Sequence, residues 1–223
     1  MARFKRIEVY NALLSTGIVP LYYNADAEIV KKVMKACYEG GARVFEFTNR
    51  GDFAHEVFAD VNKWAVKNCP EMVLGVGSVV EDATAALYIQ LGAGFIVSPL
   101  LNPEMAKICN RRKIAWMPGC GTVSEINLAE ELGAEIVKIF PAGQLGGPAF
   151  LKSVLGPCPW SSIMPSGGAS PDYDSIKSWV DAGAACIGLG SALFPKKSIE
   201  SGNYSEITEK VSFALKTFKE LKG

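Results

Sequence analysis

The feature that most restricts the fold of this chain is a motif that recurs four times. EGGARVFEF (39–47), QLGAGFIVSP (90–99), ELGAEIVKIFP (131–141) and DAGAACIGLG (181–190) resemble one another. Each reads as a helix ending at a glycine, then a small residue, then an apolar strand. Glycine at that point suits a left-handed helix cap. The capping glycines are expected at Gly40, Gly92, Gly133 and Gly183, spaced by 52, 41 and 50 residues. Each interval has room for two strand–helix units.

The strands between them are GIVPLYY (17–23), EMVLGVG (71–77), KIAWMPG (113–119) and SSIMPSGG (161–168), which makes eight. Helix starts lie in between. Asn24 or Asp26 opens a helix carrying Ile29, Val33 and Cys37. Asn102-Pro103 and Ser170-Pro171 put a capping side chain before a first-turn proline, and Thr122 to Glu125 form a capping box. Eight strands alternating with helices in 223 residues predict one (β/α)8 barrel domain over residues 1–223. An open doubly wound sheet is the alternative, but its GxGxxG turn is absent after the first strand. MARFKRIEVYNALLSTG reads as an amphipathic N-terminal helix packed under the barrel or on its side, not as a signal peptide.

With 49% hydrophobic residues the chain can form an ordinary globular core, and Lys+Arg and Asp+Glu balance at 23 each. That balance points away from nucleic acid and from a membrane surface. No apolar run approaches the ~18 residues of a membrane span. The six cysteines are scattered and there is one histidine, so no metal site is expected. They read as reduced thiols of a cytoplasmic protein.

Lys138 stands in the middle of the sixth strand, where a lone ammonium is costly. Strand side chains alternate between faces. Val137 and Ile139 share one face, and Phe45 and Phe47 of the second strand share another. If those apolar pairs pack on helices, Lys138 and Glu46 turn inward, with Thr48 following Glu46 as a candidate substrate contact. Both strands are even-numbered, so the two side chains belong to facing parts of one layer, toward the C-terminal end of the barrel. A buried structural ion pair is the plain alternative. The catalytic reading is favoured because Arg50, Ser78, Ser98, Ser166 and Ser191 gather at the same end. A desolvated lysine can attack a carbonyl as a neutral amine, and the resulting imine stabilises an adjacent carbanion. Glu46 would move the protons.

The seventh strand ends in MPSGGASP and the eighth in GLGSAL. Glycine-rich loops at these two strand ends are the usual phosphate site of a barrel. Gly167, Gly168, Gly190 and Ser191 are the candidate phosphate ligands; tight turns alone would also use glycine. Arg50, in TNRGD, could hold a carboxylate through two parallel hydrogen bonds. Ser78 could add a hydroxyl.

FEFTNR, GVGSV, FIVSP, MPGCGTVSE, VKIFPA, MPSGG and GLGS, in this order, resemble the signature of the 2-keto-3-deoxy-6-phosphogluconate and 4-hydroxy-2-oxoglutarate aldolases. The family includes 2-keto-3-deoxy-6-phosphogalactonate aldolases. The resemblance runs from about residue 15 to residue 200. It implies a cofactor-free Schiff-base aldolase of the Entner–Doudoroff type, on a barrel that assembles as a homotrimer. Its substrate would be a small keto-acid sugar phosphate. It implies that Lys138 is the Schiff-base lysine, Glu46 the acid/base and Arg50 the carboxylate ligand. Pro99 would border the pyruvyl pocket. Ser78 and Ser166 stand where threonine is usual. The rival classes are a phosphate-binding isomerase or synthase, and a non-catalytic sugar-phosphate binder.

Overall fold

The computed structural model describes residues 3–223. Met1 and Ala2, part of the expected N-terminal helix stretch, lie outside the described residues. The strands are β1 (Ile18–Tyr22), β2 (Val44–Thr48), β3 (Val73–Gly77), β4 (Phe95–Val97), β5 (Ala115–Met117), β6 (Gly119–Cys120), β7 (Val137–Ile139), β8 (Ile163–Pro165) and β9 (Ile187–Leu189). All pairings are parallel, in the orders β5-β4-β3-β2-β1-β9 and β6-β7-β8. The two runs join into a barrel. A parallel bridge from Ser166 to Gly188 links the end of β8 to β9. β5 and β6 are one barrel strand interrupted at Pro118, which has no N–H to give to a ladder. The eight expected strands are therefore present, the fifth in two pieces.

The helices are α1 (Arg6–Thr16), α2 (Ala27–Glu39), α3 (Ala54–Asn68), α4 (Asp82–Gln90), α5 (Pro103–Arg112), α6 (Val123–Glu131), α7 (Gly147–Leu155), α8 (Tyr173–Asp181), α9 (Lys196–Glu200) and α10 (Ser205–Lys222). Their starts follow the side chains that can satisfy free N–H groups. Asp26 accepts from Glu28, Asn102 from Glu104 and Met105, and Thr122 from Glu125. The cap expected at Ser170 is instead Asp172, which accepts from Ser175, so Pro171 lies before the helix and not in its first turn. Gly92, Gly133 and Gly183 adopt the left-handed conformation expected of them. Gly40 does not: its φ is −71°, and the left-handed residue is the next one, Gly41. In a Gly-Gly pair the sequence alone leaves that choice open.

The strand faces sort into two cores. Phe45, Phe47, Val137 and Ile139 join the outer core between sheet and helices. Val44, Val73, Phe95, Met117, Ile136 and Met164 fill the lower barrel interior. Val9, Tyr10 and Leu13 of α1 complete that interior core. Helix α1 thus closes the bottom of the barrel, and the Tyr10 hydroxyl takes the Trp116 N–H at 3.2 Å. All six cysteines are free and five are buried. Burial raises the thiols of the five buried ones, Cys120 to about 12. Among the described residues no helix is long and apolar enough to cross a membrane.

Candidate active site

With the lower interior filled, the upper end is the open part of the barrel. A cavity of about 400 Å³ lies there. Its wall includes Glu46, Thr48, Arg50, Ser78, Pro99, Lys138, Ser166, Gly167, Gly190 and Ser191. Of the residues expected from sequence, Gly168 is not in the lining. It backs the wall instead: a Cβ on Gly168 would lie 2.6 Å from the Cα of Gly143, so the two loops touch backbone to backbone. Ser98 also turns away from the cavity, fully buried and accepting the Leu100 N–H at 3.1 Å.

Lys138 is 5% exposed and Glu46 is 1% exposed. They face each other across the barrel without closing into an ion pair. Glu46 Oε2 is buried with no hydrogen-bond partner. Lys138 Nζ sits 5.0 Å from the centre of the Phe140 ring. A structural ion pair would be in contact, because buried charges otherwise lose their hydration uncompensated. Two unpaired ionisable groups aimed into one cavity are instead ready for a ligand. Burial lowers the Lys138 amine; Glu46 opposes that shift and Arg50 adds to it. Burial also raises the Glu46 carboxyl, against Lys138 and Arg50. Both groups are pushed toward their neutral forms.

Neighbouring backbone makes room for this. Gly77 pairs with Thr48 in the β2–β3 ladder, the Glu46 side chain reaches over it, and a Cβ there would collide with Glu46 Oε1. Ser78 follows in a left-handed conformation, φ 59°, uncommon for a non-glycine residue and a frequent sign of a functional turn. Asn49 ties the end of β2 to β3 by donating its N–H to Gly77 at 2.8 Å, and Tyr88 holds the Asn49 side chain at 2.7 Å. Arg50 is thereby carried on a fixed corner at the cavity rim. Opposite, Ala142 donates to the Ser166 carbonyl and Gly143 to that of Gly167, fixing the loop after Lys138 against the loop after β8.

The cavity also has walls that were not among the expected site residues. Leu21, Tyr22, Tyr23, Phe140 and Phe194 complete it. Phe140 shares the face of Lys138, which was a readable signal. Tyr22 follows Ile18 and Pro20 on the outward row, so alternation assigns it to the helix side; only its place at the strand end admits it to the cavity. Among the described residues no cluster of three or more His, Cys, Asp or Glu could hold a metal ion.

Comparisons with known proteins identify the relatives of this chain. The family model "Aldolase: KDPG and KHG aldolase" matches residues 9–210. The KHG/KDPG aldolase of Escherichia coli (strain K12) is 34% identical over 203 residues, covering 89% of this chain and 91% of that protein. The 2-dehydro-3-deoxy-phosphogluconate aldolase of Haemophilus influenzae is 31% identical over 204 residues, with 90% and 92% covered. A solved Legionella pneumophila KDPG aldolase, holding pyruvate as a covalent carbinolamine intermediate, superposes with a TM-score of 0.81 at 26% identity. It covers 91% of this chain and 96% of that one. A thiamine phosphate pyrophosphorylase from Pyrococcus furiosus, at TM-score 0.70 and 13% identity, shares the fold alone. The chain belongs to the KDPG and KHG aldolase family, carbon–carbon lyases of the class I type.

Proposed function

We propose that the protein is a Schiff-base aldolase that cleaves 2-keto-3-deoxy-6-phosphogluconate to pyruvate and glyceraldehyde 3-phosphate. We assign 4-hydroxy-2-oxoglutarate, cleaved to pyruvate and glyoxylate, as its second substrate. The observation that carries the reading is the buried Lys138 amine facing the buried, unpartnered Glu46 carboxyl inside one cavity.

The reaction follows from these groups. The neutral Lys138 amine attacks the C2 ketone. Glu46, acting through a water, gives the departing hydroxyl its proton, and the carbinolamine becomes an iminium. The C4 hydroxyl then yields its proton to Glu46, again through water. The electrons of the C3–C4 bond flow into the iminium, and the aldehyde leaves. Protonation of the enamine at C3 and hydrolysis of the imine release pyruvate and restore Lys138. Arg50 and Ser78 hold the carboxylate, with Pro99 and Thr48 beside the pyruvyl unit. Gly167, Gly190, Ser191 and Ser166 receive the phosphate, and Gly168 supports their loop. Holding the reacting carbon near the amine can contribute several kcal/mol, up to about 7–11 in the best-oriented cases.

The family relationship further supports a homotrimer. Six unpaired thiols suit a reducing compartment, the cytoplasm. Light scattering on the purified protein would test the trimer; a monomeric mass would refute it.

The direct test is pyruvate release from the gluconate-type substrate, its galactonate-type C4 epimer and 4-hydroxy-2-oxoglutarate. The gluconate-type compound should give the highest kcat/KM. Preference for its epimer would move the assignment to a 2-keto-3-deoxy-6-phosphogalactonate aldolase. No pyruvate from any of the three would overturn the reading and favour an isomerase, a synthase or a sugar-phosphate binder.

A further inference from the structure

A second cavity, of about 670 Å³, lies directly behind the first. Its wall includes Asn24, Ile29, Lys32, Lys196, Ile199 and Tyr204. Two residues line both spaces, Tyr22 and Phe194. Tyr22 ends β1, and Phe194 follows the 3-10 turn Ser191–Leu193 after β9. Since β1 pairs with β9, their side chains meet. Their ring centres lie 5.0 Å apart at an interplanar angle of 56°. Phe194 is almost fully buried, and Asn24 donates to the Tyr22 hydroxyl at 3.4 Å. The pair is therefore a packed partition, not two loose side chains.

Its position matters for the substrate. Arg50 and Ser78, on the β2 and β3 ends, take the carboxylate in the reading above. Ser191 lies three residues before Phe194. The partition thus bounds the cavity on the side toward which the aldehyde half extends.

We propose that the Tyr22–Phe194 pair is a length gauge: it sets how long an aldehyde the enzyme accepts by walling the active cavity off from the larger space behind it. The inference rests on the aldolase reading of this cavity. Ring bulk, not the Tyr22 hydroxyl, would do the excluding. Behind the partition, Lys32 offers a cationic end to the phosphate of a longer aldose phosphate, while Lys196 is paired with Glu200 of the same wall at 3.5 Å.

The experiment is condensation of pyruvate with glyceraldehyde 3-phosphate and with four- and five-carbon aldose phosphates. Wild type, Tyr22→Ala, Tyr22→Phe and Phe194→Leu would be compared, each also trapped with pyruvate and borohydride. For Tyr22→Ala and Phe194→Leu, kcat/KM for the five-carbon aldehyde should rise by about tenfold or more relative to the three-carbon one, mainly through KM. Tyr22→Phe should keep the wild-type length profile. An unchanged profile in both truncated variants, with trapping intact, overturns the gauge. A changed profile in Tyr22→Phe overturns it too, since the hydroxyl would then be the determinant. Phe194→Leu decides alone if Tyr22→Ala does not fold. Failure of the aldolase reading is distinct: wild type would then trap no pyruvate and condense no aldehyde.

Discussion

At the scale of single residues, the Lys138 amine and the Glu46 carboxyl are buried without touching. Desolvation alone would neutralise both, and that is the direction of each shift. The remaining charges tune Lys138 in opposite senses. Ionised Glu46 favours the ammonium, while Arg50 disfavours it. Trapping needs the neutral amine, so its rate falls as pH drops through the lysine pKa. Arg50→Met removes the charge that lowers that pKa, and the fall should move to higher pH. Glu46→Gln removes the charge that raises it, and the fall should move to lower pH. The pH dependence of pyruvate trapping in the two variants checks this; movement in the same direction would contradict it. Glu46→Gln should also lose most turnover while substrate binding is kept, and wild-type turnover would refute its acid/base role.

At the scale of elements, strand ends place these groups, and glycine gives them space. Gly77 has ordinary strand geometry, so alanine there costs little in backbone terms. Its Cβ would nonetheless meet the Glu46 carboxylate. Gly77→Ala should therefore reduce turnover about as severely as Glu46→Gln, with an unchanged far-UV circular dichroism spectrum. Near-normal activity would show that the carboxylate need not occupy that place. Elements also decide what could be read in advance. Lys138 and Glu46 were legible because period-two alternation places them opposite large apolar pairs, and alternation is a property of neighbours in sequence. The cap residues Asp26, Asn102 and Thr122 were legible for the same reason, being local, whereas the cap expected at Ser170 falls two residues later, at Asp172. Tyr22 and Phe194 were not legible. Their contact joins chain positions far apart, and Tyr22 lies on the outward row until the strand ends. The break at Pro118 was likewise hidden, since a strand and an interrupted strand share one apolar pattern.

At the scale of the molecule, the barrel is filled from below and open above. Helix α1 inserts Val9, Tyr10 and Leu13 into the interior layer beneath Lys138. Leu13 is fully buried, so Leu13→Ala should destabilise the fold by about 2–5 kcal/mol. Chemical denaturation would measure this; a change below about 1 kcal/mol would mean that α1 does not seal the barrel. The same closure keeps the reacting end dry from one side only, leaving the upper rim to admit substrate. Everything then converges on one covalent bond. The protein should be incubated with pyruvate and borohydride, digested, and its peptides weighed. A reduced pyruvyl adduct is expected on Lys138, lost in Lys138→Met while the fold persists. No adduct on folded protein, or an adduct on another lysine that survives Lys138→Met, would contradict the assignment of Lys138.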